Sequence, residues 1–390
     1  MTNIERLFNY YKILYSVLNT ELLPLRASLG IKRINIYINL DDLIHRIHRP
    51  YTEQEFHSSS SNLPREIVAN LLNLLAHYRN WASKERMESM VFLVYTTSNI
   101  FKNSVRLPLY RNYYNQLTSP TNMDFYTMNK AIASALSVIG VMTKSVHNIY
   151  AIDSSYIEPS AVPLYLSRQF PADFNLIVSK SEYDLQYVAY HRWAVIMARG
   201  EESKLVTTGN LWEVIRAHNA IEDPIRFHPD LFIWAKTILG DKYRSIPKLT
   251  RIGWKTVVRY LKNVSSEDTS EDMLELQLRE LRRFIEARKI TDTDFNNNLY
   301  CTSVKEQVDA FLDSDAAIIL HQITDLDDPQ SLQEVNKTIF REYPIELHKL
   351  LREVPAFVKY NDKTHDDYVW RKLITSASEA ARKEKREANE

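Results

Sequence analysis

Residues 239–261 read LGDKYRSIPKLTRIGWKTVVRYL, and the organisation of the chain is read outward from them. Gly240-Asp241 opens a turn. Ile246-Pro247 starts an extended bend, because proline fixes its own φ and disfavours helix in the residue before it. Ile252-Gly253 gives a second sharp turn. Residues 254–261 then have helical spacing, with Val257, Val258 and Leu261 on one face. The whole chain has 6 glycines, and Gly240 and Gly253 both fall in this stretch. A glycine ahead of a helix lets backbone N–H groups approach a ligand, and a helix N-terminus attracts anions. Lys255 and Thr256 add a cation and a hydroxyl at that end, so phosphate is the expected ligand. Lys242, Arg244, Lys248, Arg251 and Lys255 bring further positive charge to the turn. Two readings stand for these cations: contact with a phosphate backbone, or pairing with acids of the following helices such as Glu280 and Glu286.

The stretch resembles the helix-three-turn-helix of the flap endonuclease and 5′-3′ exonuclease family, whose pattern is roughly GDxSDNIPGVPGIGxKTA. Gly240, Asp241, Ile246, Pro247, Ile252, Gly253, Lys255 and Thr256 match it. Lys242, Tyr243, Arg244, Ser245, Lys248, Thr250 and Arg251 depart from it. The resemblance implies a PIN-like α/β fold: a central, mostly parallel sheet flanked by helices, followed by the helix-three-turn-helix. It implies an α/β domain over 1–238 with an arch at about 100–145, the hairpin at 239–264, an extra helical region at 265–375 and a charged tail at 376–390.

Composition is that of an ordinary globular chain, with 45% apolar and 25% charged residues. A length of 390 residues accommodates two or three structural units. Formal net charge is zero, so any nucleic-acid surface must be local. The single cysteine, Cys301, excludes an intramolecular disulfide framework and a cysteine metal cluster, and points to a reducing compartment. The longest uncharged apolar run, 131–142, is too short to span a bilayer. The N-terminal residues carry Glu5, Arg6 and Lys12 and lack a signal-peptide core. These features predict a cytoplasmic protein with no membrane partner. Frequent Tyr and Asn with few Gly suggest a phage or viral chain, in which case the compartment is the host cytoplasm or the virion.

In chain order, residues 1–28 have helical spacing. Residues 33–39, RINIYIN, are β-branched and alternating and predict the first strand. Residues from Asp41 onward predict helix, with two readings for Asp41 and Asp42: N-terminal caps, or strand-end carboxylates if the end of the first strand is shifted by two or three residues. His45, Arg46, His48 and Arg49 read as solvated surface. Two histidines without a third ligand make a poor zinc site. Helix is expected at 64–81, a second strand at 90–95, a third at 174–179 and a small strand at 193–197. Arg106 and Arg111 alternate with Tyr110, Tyr113 and Tyr114. That pattern suits backbone pairing with base stacking, and it equally suits an aromatic helix face packed on the sheet. A charged helix is expected at 273–290, and three or four helices at 303–375.

The resemblance also implies a cluster of carboxylates at the ends of the strands. Hydrolysis by two metal ions needs such a cluster around cations about 4 Å apart, and Mg²⁺ takes oxygen ligands. On this alignment Glu158, Glu182, Asp184 and Asp241 remain as acids. Asn39, Thr96, Ser160, Ala161 and Arg244 stand where the family has acids. A fixed guanidinium repels a divalent ion. The paired-metal site is therefore expected to be dismantled, with no cofactor. Mg²⁺ would enter only if weak 5′ nuclease activity survives, through Glu158, Asp184 and Asp241.

The sequence thus predicts a DNA-binding protein on an inactivated flap-endonuclease scaffold. It would recognise the backbone of flap, nicked or single-stranded DNA during replication, recombination or packaging. The expected contacts are Lys242, Arg244, Lys248, Arg251, Gly253, Lys255, Thr256, Arg106 and Arg111, and they carry no base specificity. The alternative is a virion or assembly protein in which the fold, and its C-terminal helices above all, serves as a platform for other viral proteins.

Overall fold

The computed structural model describes residues 16–39, 85–95, 149–154, 157–179, 181–197, 203–222, 225, 227–241, 246–261 and 270–313. The expected helices at 41 onward and 64–81, the arch, the expected helices beyond 313 and the tail lie outside these residues. So do Thr96, Arg106, Arg111, Lys242 and Arg244.

Six strands form one sheet: β1 (Arg33–Asn39), β2 (Glu88–Tyr95), β3 (Ile149–Asp153), β4 (Phe174–Ser179), β5 (Trp193–Met197) and β6 (Lys204–Val206). Their order is β3-β2-β1-β4-β5-β6. All neighbours are parallel except β5 and β6. The α/β architecture with a mostly parallel sheet is as expected. β1, β4 and β5 coincide with the expected strands. β3 and β6 were not expected, so 174–179 is the fourth strand rather than the third. β3 is five residues long and β6 three, too short to show a period.

β1 lies in the middle of the sheet, with Ile34 through Ile38 all buried. Both faces of a parallel strand are covered, so its polar residues need partners. Asn35 Nδ2 donates to Phe170 O at 2.7 Å, and Tyr37 Oη donates to Asn175 Oδ1 at 3.1 Å. Burial pushes the Tyr37 phenol well above its usual range, which keeps it a neutral donor. Asp173 Oδ2 accepts the backbone N–H groups of Lys32 and Arg33 at 3.0 and 2.9 Å, fixing the start of β1 against β4.

A π-helical turn (Leu18–Leu22) leads into α1 (Leu23–Leu29). The other helices are α2 (Val162–Gln169), a 3₁₀ helix (Glu182–Ala189), α3 (Leu211–His218), α4 (Leu231–Leu239), α5 (Trp254–Leu261), α6 (Ser270–Ala287), α7 (Asp292–Thr302) and α8 (Val304–Leu312). The C-terminal helices share the core of the α/β layer among the described residues. Leu281, Phe284, Phe295, Val308 and Phe311 belong to the same buried cluster as Tyr37, Tyr183 and Trp254. Buried polar contacts reinforce the join. Gln186 Nε2 donates to Thr302 O at 3.1 Å, and Gln186 Oε1 accepts from Val304 N at 2.8 Å. Gln307 Nε2 donates to Tyr183 Oη at 3.1 Å.

Candidate nucleic-acid interface and acidic cleft

Parallel sheets place ligands beyond the carboxyl ends of their strands, where the direction of chain progression reverses. Here the reversal falls between β1 and β4. From β1 the chain steps to β2 and β3 on one side; from β4 it steps to β5 and β6 on the other. Ile38 is level with Val178, so the crevice opens between Asn39, which ends β1, and Ser179, which ends β4. Asn39 occupies the place where the resemblance implies a carboxylate. Asp153 ends β3, level with Tyr95 of β2. It is a strand-end acid that sequence reading missed, because its strand is so short.

Beyond β4, Asp184 takes up a definite partner, while Glu182 keeps one buried carboxylate oxygen, Oε1, without a hydrogen bond. The Ser179 hydroxyl hydrogen-bonds the Asp184 carboxylate, and Ser179 Oγ accepts the N–H of Ser181 at 2.9 Å. Ser181 caps the 3₁₀ helix by accepting from Tyr183 N at 3.2 Å. Asp184 is 2% exposed and Glu158 6%. Ser160 and Ala161, two of the positions where the resemblance implies acids, are buried too, and Ala161 N donates to Glu158 O at 2.8 Å. These two positions pack and turn the chain ahead of α2.

Glu182 and Asp241 meet at a residue not singled out from sequence, Lys236. Its ammonium lies 3.2 Å from Glu182 Oε2 and 3.9 Å from Asp241 Oδ2. The lysine side chain is only 7% exposed. It projects from α4, whose 231–239 run is otherwise almost entirely apolar. A lone lysine in such a helix was the available signal, since a buried ammonium requires a counter-ion. Among the described residues, no group of three or more His, Cys, Asp or Glu side chains has the arrangement of a metal site.

The hairpin follows directly from α4. Gly240 has φ of 63° and ψ of −173°. A Cβ there would lie 2.5 Å from Pro247 O and 2.6 Å from Ile246 O, so only glycine fits. Asp241 and Ile246 exchange backbone hydrogen bonds of 3.0 and 2.8 Å, which close the first turn. Leu249 N donates to Ile238 O at 3.0 Å, tying the second segment back to α4. Asn298 of α7 donates to Thr237 O at 2.9 Å and to Pro247 O at 2.8 Å, holding the bend from beneath.

α5 occupies the predicted 254–261, and Val257, Val258 and Leu261 are buried as expected. Trp254 anchors its first turn, stacked on Phe232 at 5.9 Å between ring centroids and edge-on to Trp212 at 6.2 Å. The opposite side carries charge. Lys248, Arg251, Lys255 and Arg259 are exposed, and Thr256 is half-buried. None of the four cations pairs with a carboxylate among the described residues. Glu280, offered above as a partner, is instead paired with Arg283 one turn along α6. Arg259 joins this group although sequence reading left it out; its i+4 spacing from Lys255 was the available signal. Gly253 is exposed, and a Cβ on it would meet nothing within 4 Å. Internal packing therefore does not require glycine at this position.

No helix among the described residues is long and apolar enough to cross a membrane. No protein-family model and no curated protein matches this sequence. Solved structures do show similarity. A flap endonuclease pseudo-enzyme of bacteriophage T5, in a product complex with DNA and metal ions, is 13% identical with a TM-score of 0.49, over 75% of this chain and 99% of that one. The bacteriophage T5 5′-exonuclease with bound zinc is 15% identical with a TM-score of 0.47, over 76% of this chain and 99% of that one. The catalytic core of Rad2 with a DNA substrate is 10% identical with a TM-score of 0.38, over 84% and 94%. In fold, this chain is similar to flap endonucleases and 5′-exonucleases.

Proposed function

We propose that this chain binds the sugar-phosphate backbone of DNA through the hairpin at 239–261 and does not cut it. The observation that carries the reading is the row of exposed cations Lys248, Arg251, Lys255 and Arg259, which have no carboxylate partner among the described residues. Surface cations on a neutral chain are commonly paired or dispersed. Here they converge on a turn and a helix whose apolar side is fixed in the core. The row presents charge in a held geometry, which favours phosphate contacts over a flexible basic tail. The motif of Gly240, Asp241, Ile246, Pro247, Ile252, Gly253, Lys255 and Thr256 supports the same reading. Such contacts are sequence-independent, so branched, nicked or single-stranded DNA would be distinguished by shape.

Catalytic silence is supported by the state of the acids. Glu182 and Asp241 are engaged by Lys236, and Asp184 by Ser179. Asn39 ends the central strand without a charge.

A gel-shift series at rising salt with flap, nicked and single-stranded DNA tests the proposal. Binding is expected at low salt and is expected to be lost in Arg251→Glu and Lys255→Glu. Absence of binding at low salt would overturn it in favour of a protein-binding scaffold. Incubation of labelled flap DNA with Mg²⁺ or Mn²⁺ tests silence. Cleavage abolished by Asp184→Ala would overturn that part.

A further inference from the structure

A fold of this kind raises the expectation of divalent metal beyond the carboxyl ends of β1 and β4, and the residues present do not fit one. We infer that the Lys236 ammonium is the resident cation of this cleft, standing where a metal's charge would otherwise be needed, so that the protein is metal-independent.

The ammonium lies between two carboxylates from separate parts of the chain, 3.2 Å from Glu182 Oε2 and 3.9 Å from Asp241 Oδ2. Lys236 and Asp241 are each 7% exposed at the side chain and Glu182 is 18% exposed, so water screens the three charges weakly. A buried carboxylate and a mostly shielded one, brought together without a cation, would repel each other and lose hydration. Lysine supplies the missing charge through a tethered point cation. A divalent ion entering the same space would meet that cation at short range, with little solvent to screen the repulsion. The nearby Asp184 carboxylate already accepts the Ser179 hydroxyl. Lys236 itself cannot swing away cheaply: its stem is buried in α4, and its backbone carbonyl accepts Gly240 N at 2.8 Å where the hairpin begins. The counter-ion and the hairpin are thus built from the same six residues, Lys236 to Asp241.

Thermal melts of the full chain in EDTA, Mg²⁺ or Mn²⁺, with no nucleic acid present, test this separately from DNA binding. The native protein is expected to melt within about 1 °C under all three conditions, because a ligand that does not bind the folded state does not shift its midpoint. The Lys236→Met variant is expected to melt roughly 5–10 °C lower in EDTA. It should recover several degrees in millimolar Mn²⁺, as the vacated acid pair takes the ion. If the variant is unfolded in EDTA, refolding it with Mn²⁺ should restore the native spectrum. A saturable rise in the native protein with Mn²⁺ would overturn the inference. So would a Lys236→Met variant that gains nothing from metal.

Discussion

Lys236 Nζ lies 3.2 Å from Glu182 Oε2, joining α4 to the 3₁₀ helix that follows the fourth strand. The two residues are 54 positions apart in sequence, and the contact is mostly hidden from water. Their coupling should be measurable by a double-mutant cycle in urea with Lys236→Met and Glu182→Gln. A coupling of about 1–3 kcal/mol is expected for a buried, hydrogen-bonded pair. A value near zero would mean that solvent screens the pair as it does at a surface.

Gly240 and Gly253 should respond oppositely to alanine. Gly240→Ala places a Cβ 2.5 Å from a backbone oxygen at φ of 63°, so it should cost at least about 2 kcal/mol and disturb the first turn. Gly253→Ala meets open space and should leave stability within about 0.5 kcal/mol. Denaturant melts of both variants decide the point. If Gly253→Ala keeps its stability but binds DNA less tightly, a ligand approaches that backbone.

Asn298→Ala should loosen the hairpin from beneath. It strands two carbonyls, that of buried Thr237 and that of half-buried Pro247, which together receive the amide at 2.9 and 2.8 Å. A loss of about 2–3 kcal/mol is expected. Hydrogen exchange should quicken at Ile246 and Leu249 before it quickens in the sheet.

Asp173 predicts a pH dependence. The N–H groups of Arg33 and Lys32 hold its carboxyl below the usual value of 3.8, with the Arg33 charge adding to the effect. A lowered folded-state pKa means that the ionised form stabilises the native protein. That contribution is complete above the unfolded value and is lost as pH falls through the depressed one. Asp173→Asn should therefore melt below the native protein at pH 7, and the difference should shrink below about pH 3. A difference that persists unchanged at pH 2 would argue for a purely steric role.

The hairpin cations predict a salt signature. Each phosphate contact removed should flatten the slope of log K against log salt by about 0.7–0.9. Lys255→Ala and Arg259→Ala are expected to do so singly, and the double variant about additively. Equal slopes for native and double variant would mean that this face does not touch phosphate.

Much of the arrangement is local chemistry and was legible from sequence. Ile34, Ile36 and Ile38 mark a strand wherever it is placed, and Val257, Val258 and Leu261 mark the inner side of a short helix. Gly240 and Pro247 shape the turn through their own backbone preferences, so the hairpin's bends are written in neighbouring residues. The strand-end substitutions could be read the same way, because Asn39 ends a run whose period is plain. Asp153 could not, since five residues of strand carry too little pattern. Arg259 was passed over although its spacing from Lys255 was visible.

Sequence by itself determined where the chain turns and which segments extend or coil, because those preferences act between residues close along the backbone. The tertiary structure decided that Lys236 sits between Glu182 and Asp241. It also decided that α7 props the hairpin through Asn298 and that the C-terminal helices close the same core as the sheet. Those relationships join residues tens of positions apart, and no periodicity encodes them. They arise when apolar faces pack and leave each buried polar group to find its partner in the space that remains.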